Sequence, residues 1–279
     1  MRREYLARSE KRGSGMEFST LKVETSETHI AKVILNRPEV RNAFNETLIV
    51  ELTRAFELLG QASQVRVIIL QGNGPGFCAG ADLNWMRKMA EYSREENVAG
   101  AMQMAEMLHT IWRCPKAVIA MVHGDTYAGG MGLVAACDIV VAADQVRFCL
   151  SEAKVGLLPA TISPYVIRAM GEQASRRYFL TAEKITAAEA HRLGFVHEVV
   201  PAEALERKVL EIASAVVANS PAAVRESKAL VKDVAGKPIG SALISDTASR
   251  IADIRASDEG REGVRAFLEK RKPSWLSAL

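Results

Sequence analysis

The stretch HIAKVILNRP alternates apolar and polar positions, then fills with β-branched residues and stops at Pro38, a pattern that predicts a strand ending at Asn36. NETLIVELTRAFELLG follows, with Leu48, Leu52, Phe56 and Leu59 on one helical stripe closed by Gly60. VRVIILQGNG is apolar on both faces and ends in glycines, so it predicts a buried second strand. Strand, helix and strand in that order imply a right-handed crossover between parallel strands. From Leu83 to Trp112 the pattern is Met-rich and helical in period, and Cys114-Pro115 ends it. AVIAMVHG, IVVAAD and VRFCL add strands, with a glycine segment running into a helix between the first two. The alternation predicts an α/β core over residues 16–200. From Pro201 only helical patterns remain, in ALERKVLEIASAVVANS, AAVRESKALVKDVAG, a run around Ile239 to Ser257, and EGVRAFLEKRK, so residues 201–279 are expected to form a helical C-terminal region.

Composition narrows the function classes. The chain has 279 residues, 48% of them hydrophobic, enough for a substantial core. Its net charge of +3 resides in residues 1–15, where Arg2, Arg3, Arg8, Lys11 and Arg12 face only Glu4 and Glu10. The remaining charges balance and are scattered, which argues against a nucleic-acid partner. The opening segment lacks an apolar signal core, and is read as a disordered extension or an upstream start in preference to a targeting peptide. Cys78, Cys114, Cys137 and Cys149 form no CxxC pair and have no His at metal-ligand spacing, which points to a reducing, cytoplasmic compartment and to no metal site. No apolar run reaches the roughly 18 to 20 residues of a membrane span.

Two glycine-bearing loops follow buried strands: GNGPGFCAGADL after Leu70 and HGDTYAGGMG after Val122. Neither fits a dinucleotide fingerprint or a P-loop. Glycines let backbone N–H groups approach a ligand closely, and two such donors converging on one oxygen would stabilise a carbonyl that gains negative charge. No His has a triad partner and no nucleophile elbow is present, which demotes hydrolytic acyl transfer. Cys78 beside the first loop reads as a small buried residue in preference to a nucleophile.

NRPEVRNAF, FCAGADL, AGG followed by ACD, FCLSEAKVGLLP and LTAEKITAAEAHRLGFVHEVV, in this order and spacing, resemble the enoyl-CoA hydratase/isomerase family, also called the crotonase family. The resemblance covers Met16 to the C-terminus. It implies a spiral of ββα units, a helical C-terminal trimerisation region giving a homotrimer or a dimer of trimers, and an oxyanion hole for an acyl-CoA thioester. Carried over by position, the donors are the N–H groups of Ala81 and Gly129. Coenzyme A enters as part of the substrate, and no metal or redox cofactor is implied. Gly80, Asp82, Leu83, Trp85, Met86, Gly132 and Pro159 fall where the family surrounds its substrate. Arg41 (or Arg37) and Lys270 fall where it meets CoA phosphates, with ordinary surface charge as the competing reading. The stripe of Met86, Met89, Met102, Met104 and Met107 is read mainly as core, except near Trp85 and Met86.

Two departures from the family stand out. Typical hydratases use two glutamates: the second matches Glu152, whereas the first falls on Gly132, which cannot move a proton. Asp125 and Tyr127 are weak substitutes for it, and Asp138 reads as structural. The second departure is PATISPYV, where many members have a glycine-rich turn; Thr161, Ile162 and Ser163 are expected to reshape the acyl pocket, and Ser163 or Tyr165 to bind a polar acyl tail. ADLNWMRKM, Gly132, LSE and PATISPYV together look most similar to bacterial methylglutaconyl-CoA hydratases and their isoprenoid-acid relatives. The expected activity is hydration of an α,β-unsaturated acyl-CoA with Glu152 as general acid/base. An isomerase using one glutamate and a non-catalytic binding protein of this fold are the alternatives.

Overall fold

A computed structural model describes residues 17–277. The basic segment 1–15 lies outside the described residues. Strands β1 (Leu21–Thr25), β2 (Ile30–Leu35) and β3 (Val67–Gly72) begin the chain, with helix α1 (Glu46–Gln61) crossing between β2 and β3. The Asn45 side chain caps α1 by accepting from Leu48 N–H at 2.9 Å, and the stripe Leu48, Leu52, Phe56 and Leu59 is buried. Helices α2 (Leu83–Met89) and α3 (Arg94–Trp112) lead to β4 (Ala117–Val122), then β5 (Thr126–Tyr127), α4 (Gly129–Ala135), β6 (Ile139–Ala143) and β7 (Arg147–Cys149).

The expected single helix from Leu83 to Trp112 is therefore two. Ser93 divides them with a capping box: its Oγ accepts from Glu96 N–H at 3.2 Å, and Glu96 Oε2 accepts from Ser93 N–H at 2.7 Å. Reciprocal local bonds of this kind offer the backbone a helix start that outcompetes continuation.

After a single 3₁₀ turn at Glu152–Val155 come α5 (Ser163–Thr181), β8 (Ile185–Thr186), α6 (Ala187–Arg192) and β9 (Glu198–Val200). Two sheets result. The larger has the order β1-β2-β3-β4-β6-β9, parallel except for the β1–β2 pair; the smaller has the order β5-β7-β8. The chain alternates between them, β4 to β5 and β6 to β7, as the spiral implied by the resemblance requires. Val118, Ile119 and Ala120 of β4 are fully buried, as their two-sided apolar run requires.

Helix α7 (Leu205–Val217), the first beyond residue 201, packs on β3, β4 and β6 through Val209 and Ala213 and belongs to the core. Helices α8 (Pro221–Val234), α9 (Ser241–Ala256) and α10 (Asp258–Leu268) differ: only Ala266 is buried among them. Lys228 anchors α8 to the sheet. Lys228 Nζ pairs with Asp138 Oδ2 at 2.7 Å, and the same oxygen accepts from Val118 N–H at 2.8 Å. Asp138 thus ties the starts of β4 and β6 to α8, the structural role expected of it. Lys228→Ala leaves that half-buried carboxylate without its cation, and a loss of about 1–3 kcal/mol of stability in urea unfolding is the expected result. A change under about 0.3 kcal/mol would show the pair to be idle.

Candidate active site

Three short backbone pairings gather the site. Phe44 bridges Ala81, with Phe44 N–H donating to Gly80 O at 2.7 Å and Asp82 N–H donating to Phe44 O at 2.8 Å. Because the bridge uses the groups on either side of Ala81, the N–H of Ala81 itself faces away from Phe44. Cys78 bridges Thr126, with Tyr127 N–H donating to Cys78 O at 2.9 Å, and this lays the first glycine loop alongside the second. β5 then pairs with β7, matching Tyr127 to Cys149, and Ala128 N–H donates to Cys149 O at 2.8 Å.

At Ala128 the chain turns sharply (φ 47°, ψ −122°) and enters α4, whose first N–H belongs to Gly129. A first helical N–H has no intrahelical acceptor. Among the described residues, neither Ala81 N–H nor Gly129 N–H donates to a protein acceptor. Gly80 makes their approach possible. It sits at φ +88°, and a β-carbon there would lie 3.0 Å from Ala128 Cβ and 3.3 Å from Tyr127 O.

Glu152 follows β7 by three residues and opens the 3₁₀ turn. Its Oε2 is buried and has no hydrogen-bond partner. Burial raises its pKa above the ordinary 4.5, opposed only by its own backbone N–H. A buried carboxylate oxygen with no partner costs stability and is a feature of groups kept for proton transfer. The pairings of Cys78 with Thr126 and of Tyr127 with Cys149 thus lay the segments that carry Ala81, Gly129 and Glu152 side by side.

Comparisons with known proteins bear on the family. The sequence model of the enoyl-CoA hydratase/isomerase family matches residues 25–278. The chain belongs to that family. An enoyl-CoA hydratase from Shewanella pealeana is similar in structure, with a TM-score of 0.90 and 39% identity over 93% of this chain and 97% of that one. An enoyl-CoA hydratase from Mycobacterium smegmatis has a TM-score of 0.87 and 36% identity over 92% and 99%. The 1,4-dihydroxy-2-naphthoyl-CoA synthase of Mycolicibacterium smegmatis is 33% identical over 88% of this chain and 84% of its own length.

In this member of the enoyl-CoA hydratase/isomerase family, the departure from the two-glutamate pattern that the resemblance implies has a definite physical setting. Gly132 is not open to the cleft; it is buried one turn into α4, where a β-carbon would overlap Ile162 Cγ2 and stand 2.8 Å from Ile162 Cβ. Asp82 is likewise no substrate ligand. Its Oδ2 pairs with Arg37 Nη2 at 2.9 Å, and its Oδ1 caps α2 by accepting from Asn84 N–H at 2.8 Å and Trp85 N–H at 3.3 Å. That pair is buried, which also removes Arg37 from the candidates for CoA phosphate.

Leu83 is 69% exposed, and Trp85 and Met86 are half-buried on the same helix directly after the Ala81 donor. Met104 Cε and the Phe44 ring pack against the α-carbon of Gly129, and Met104 is part of the core, the reading favoured for most of the Met stripe. Arg41 is exposed, at φ +52°, and its carbonyl accepts from Ala79 N–H at 3.0 Å, bracing the first glycine loop. Pro159 is buried in the turn before α5. Lys270 lies in the turn after α10, exposed, and no hydrogen bond or ion pair among the described residues ties its side chain to the cleft.

The polar-tail candidates are turned elsewhere. Ser163 Oγ donates to Ala160 O at 2.8 Å. Tyr165 stands edge-on to Trp112 and lines a cavity with Asp138 and His197 at the starts of β4 and β6, whereas the glycine loops leave the opposite ends of their strands. Tyr127 Oη donates to Asp125 Oδ2 at 2.8 Å, and burial with that neighbour pushes its pKa up to about 12, so this pair braces the loop. Burial pushes the Cys78 thiol up to about 12 as well, which removes it as a nucleophile. Among the described residues no three His, Cys, Asp or Glu side chains gather as a metal site, and no helix is long and apolar enough to cross a membrane.

Asn42 escaped the sequence reading. Fully buried, it accepts from Arg37 N–H and donates from Nδ2 to Asn73 O and Gly76 O, pinning the first glycine loop to the turn after β2. It lies within NRPEVRNAF, so its position was in view but its partners were not.

Proposed function

We propose that the chain hydrates an α,β-unsaturated acyl-CoA, with Glu152 as the one general acid/base. The observation that carries this is the partnerless buried oxygen of Glu152, three residues beyond the strand that pairs with the segment leading to Gly129. The ionised carboxylate takes a proton from water as the water oxygen bonds to C3. The electrons move through C2 to the thioester oxygen, where the N–H groups of Ala81 and Gly129 hold the enolate; one such donor is worth roughly 3 to 4 kcal/mol. The protonated Glu152 then returns its proton to C2, restoring the carboxylate. One carboxylate serving both steps places hydrogen and hydroxyl on the same face.

The finer reading, a carboxylated branched substrate such as methylglutaconyl-CoA, rests on the resemblance of ADLNWMRKM, Gly132, LSE and PATISPYV, without help from Ser163 or Tyr165. A single base also suits isomerisation, which moves one proton between two carbons on one face. Incubation with 2-enoyl-CoA should bleach the conjugated thioester absorbance. Absorbance that instead grows from 3-enoyl-CoA, with no bleaching of 2-enoyl-CoA, would overturn hydration. Plain against carboxylated branched acyl groups in the same assay decide the finer reading.

The C-terminal helices support a homotrimer or a dimer of trimers. Val231, Ile244, Ile251 and Phe267 are exposed along α8 to α10, Phe267 to 82%, and α8 borders a cleft of about 960 Å³ lined by Trp112, Val224 and Lys228. Apolar exposure on this scale is expected to be covered by a second copy.

A further inference from the structure

The turn after β2 grips the first glycine loop on both sides of Ala81. Asn42 Nδ2 donates to Gly76 O at 3.0 Å, and Ala79 N–H donates to Arg41 O at 3.0 Å. Phe44 N–H donates to Gly80 O at 2.7 Å, and Asp82 N–H donates to Phe44 O at 2.8 Å. Those contacts are neutral. The exception is the pair of Arg37 Nη2 with Asp82 Oδ2 at 2.9 Å, whose side chains are 15% and 7% exposed. A buried pair of this kind recovers little more than the cost of taking two charges out of water, so stability is not a sufficient reason for it.

Its geometry is more informative. The Arg37 guanidinium is a rigid fork: Nη1 donates to Ala43 O while Nη2 donates to Asp82 Oδ2. Arg37 is itself fixed, because its N–H donates to Oδ1 of the buried Asn42 at 2.9 Å. Asp82 is fixed as well, because its Oδ1 caps α2. Ala43 O and Phe44 N–H belong to one planar peptide, and so do Gly80 O and Ala81 N–H. The fork holds the first peptide by its carbonyl, and the N–H of that peptide holds the second by its carbonyl. The N–H of Ala81 is the free end of this relay.

We propose that Arg37 and Asp82 are positioning residues for turnover: through the 43–44 peptide the buried pair fixes the direction of the Ala81 N–H. The inference rests on the reading of that N–H as a donor to the thioester oxygen. The pair touches no substrate and is dispensable for folding. Its role is to keep the 80–81 peptide from tilting when charge develops on the oxygen, and misplacement by about 1 Å costs up to roughly 100-fold in rate.

Kinetics and thermal unfolding of Arg37→Met, Asp82→Ser and the double variant test the relay. Serine keeps a hydroxyl acceptor for the first turn of α2, so Asp82→Ser loses the pair but not the cap. Each single variant strands one buried charge and should lower Tm by about 5 to 10 °C. The double variant strands neither, so most of that loss should return. Its kcat should not return, but stay about 10- to 100-fold below that of the unmodified protein, with KM within about threefold. A pair that serves stability alone gives a different result, with kcat recovering alongside Tm; a double variant within about threefold of the unmodified kcat overturns the proposal.

Arg37→Lys decides where the double variant yields no folded protein. It keeps the charge and lacks the fork, so it should fold and lose about tenfold or more in kcat. An unchanged kcat there, or no folded protein from either variant, overturns the positioning role. Rates are read on whichever of 2-enoyl-CoA and 3-enoyl-CoA the unmodified protein turns over. Turnover of neither by the unmodified protein refutes the reading of the site and the proposal with it, whereas full activity in the variants of an active protein refutes the proposal alone.

Discussion

Glu152→Gln is expected to cut turnover of 2-enoyl-CoA by a factor of about 10² to 10⁴, the usual contribution of a positioned acid/base, while acyl-CoA still binds. The amide keeps the shape of the side chain but can neither take a proton from water nor return one to C2. Asp82 is engaged by Arg37 and Asp125 by Tyr127, so neither takes over. Stability should move the other way. The folded protein holds the Glu152 proton more tightly than the unfolded chain does, so the group's favourable contribution is fully present below about pH 4.5 and is lost as pH rises through its raised folded pKa. At neutral pH the ionised, partnerless carboxylate is therefore a cost, and Glu152→Gln should melt at the same temperature as the unmodified protein or a few degrees higher. For the same reason kcat/KM should fall on acidification at a pH above the ordinary carboxylate value. Turnover within threefold of the unmodified protein would sink the assignment, and a lower Tm at pH 7 would contradict the account of its environment.

Gly80→Ala comes second in expected size. The added methyl meets Ala128 Cβ at 3.0 Å, and the backbone at φ +88° is strained for any L side chain. The two glycine loops must part, which shifts the N–H groups of Ala81 and Gly129 relative to each other. Loss of one such donor costs roughly 10² to 10³ in kcat. Because the interaction matters most when the oxygen carries charge, kcat and kcat/KM should fall together while KM changes little. A rise in KM with kcat unchanged would show that the loops only bind substrate.

Much of the fold was legible because its signals are local. The stripe of α1, the two-sided apolar runs of β3 and β4, and the helical period after Pro201 each depend on residues a few positions apart. The division of the Leu83–Trp112 run was legible too, in Ser93 and Glu96, a capping box that Met-rich periodicity overshadowed. Asp138 was assigned correctly as structural. Asp82 was not, because its partner Arg37 is forty-five positions away and only folding brings them together.

The sequence by itself determined which backbone segments could approach a ligand, that Glu152 was present where a second glutamate was expected, and that Gly132 held no carboxylate. These are properties of residue type and order. The tertiary structure alone decided what fills the space beside Gly132, that Tyr165 faces the far end of the strands, and that Oε2 of Glu152 is left without a partner. Each of those depends on which side chains share a volume, and packing sets that between segments with no sequence relation to one another.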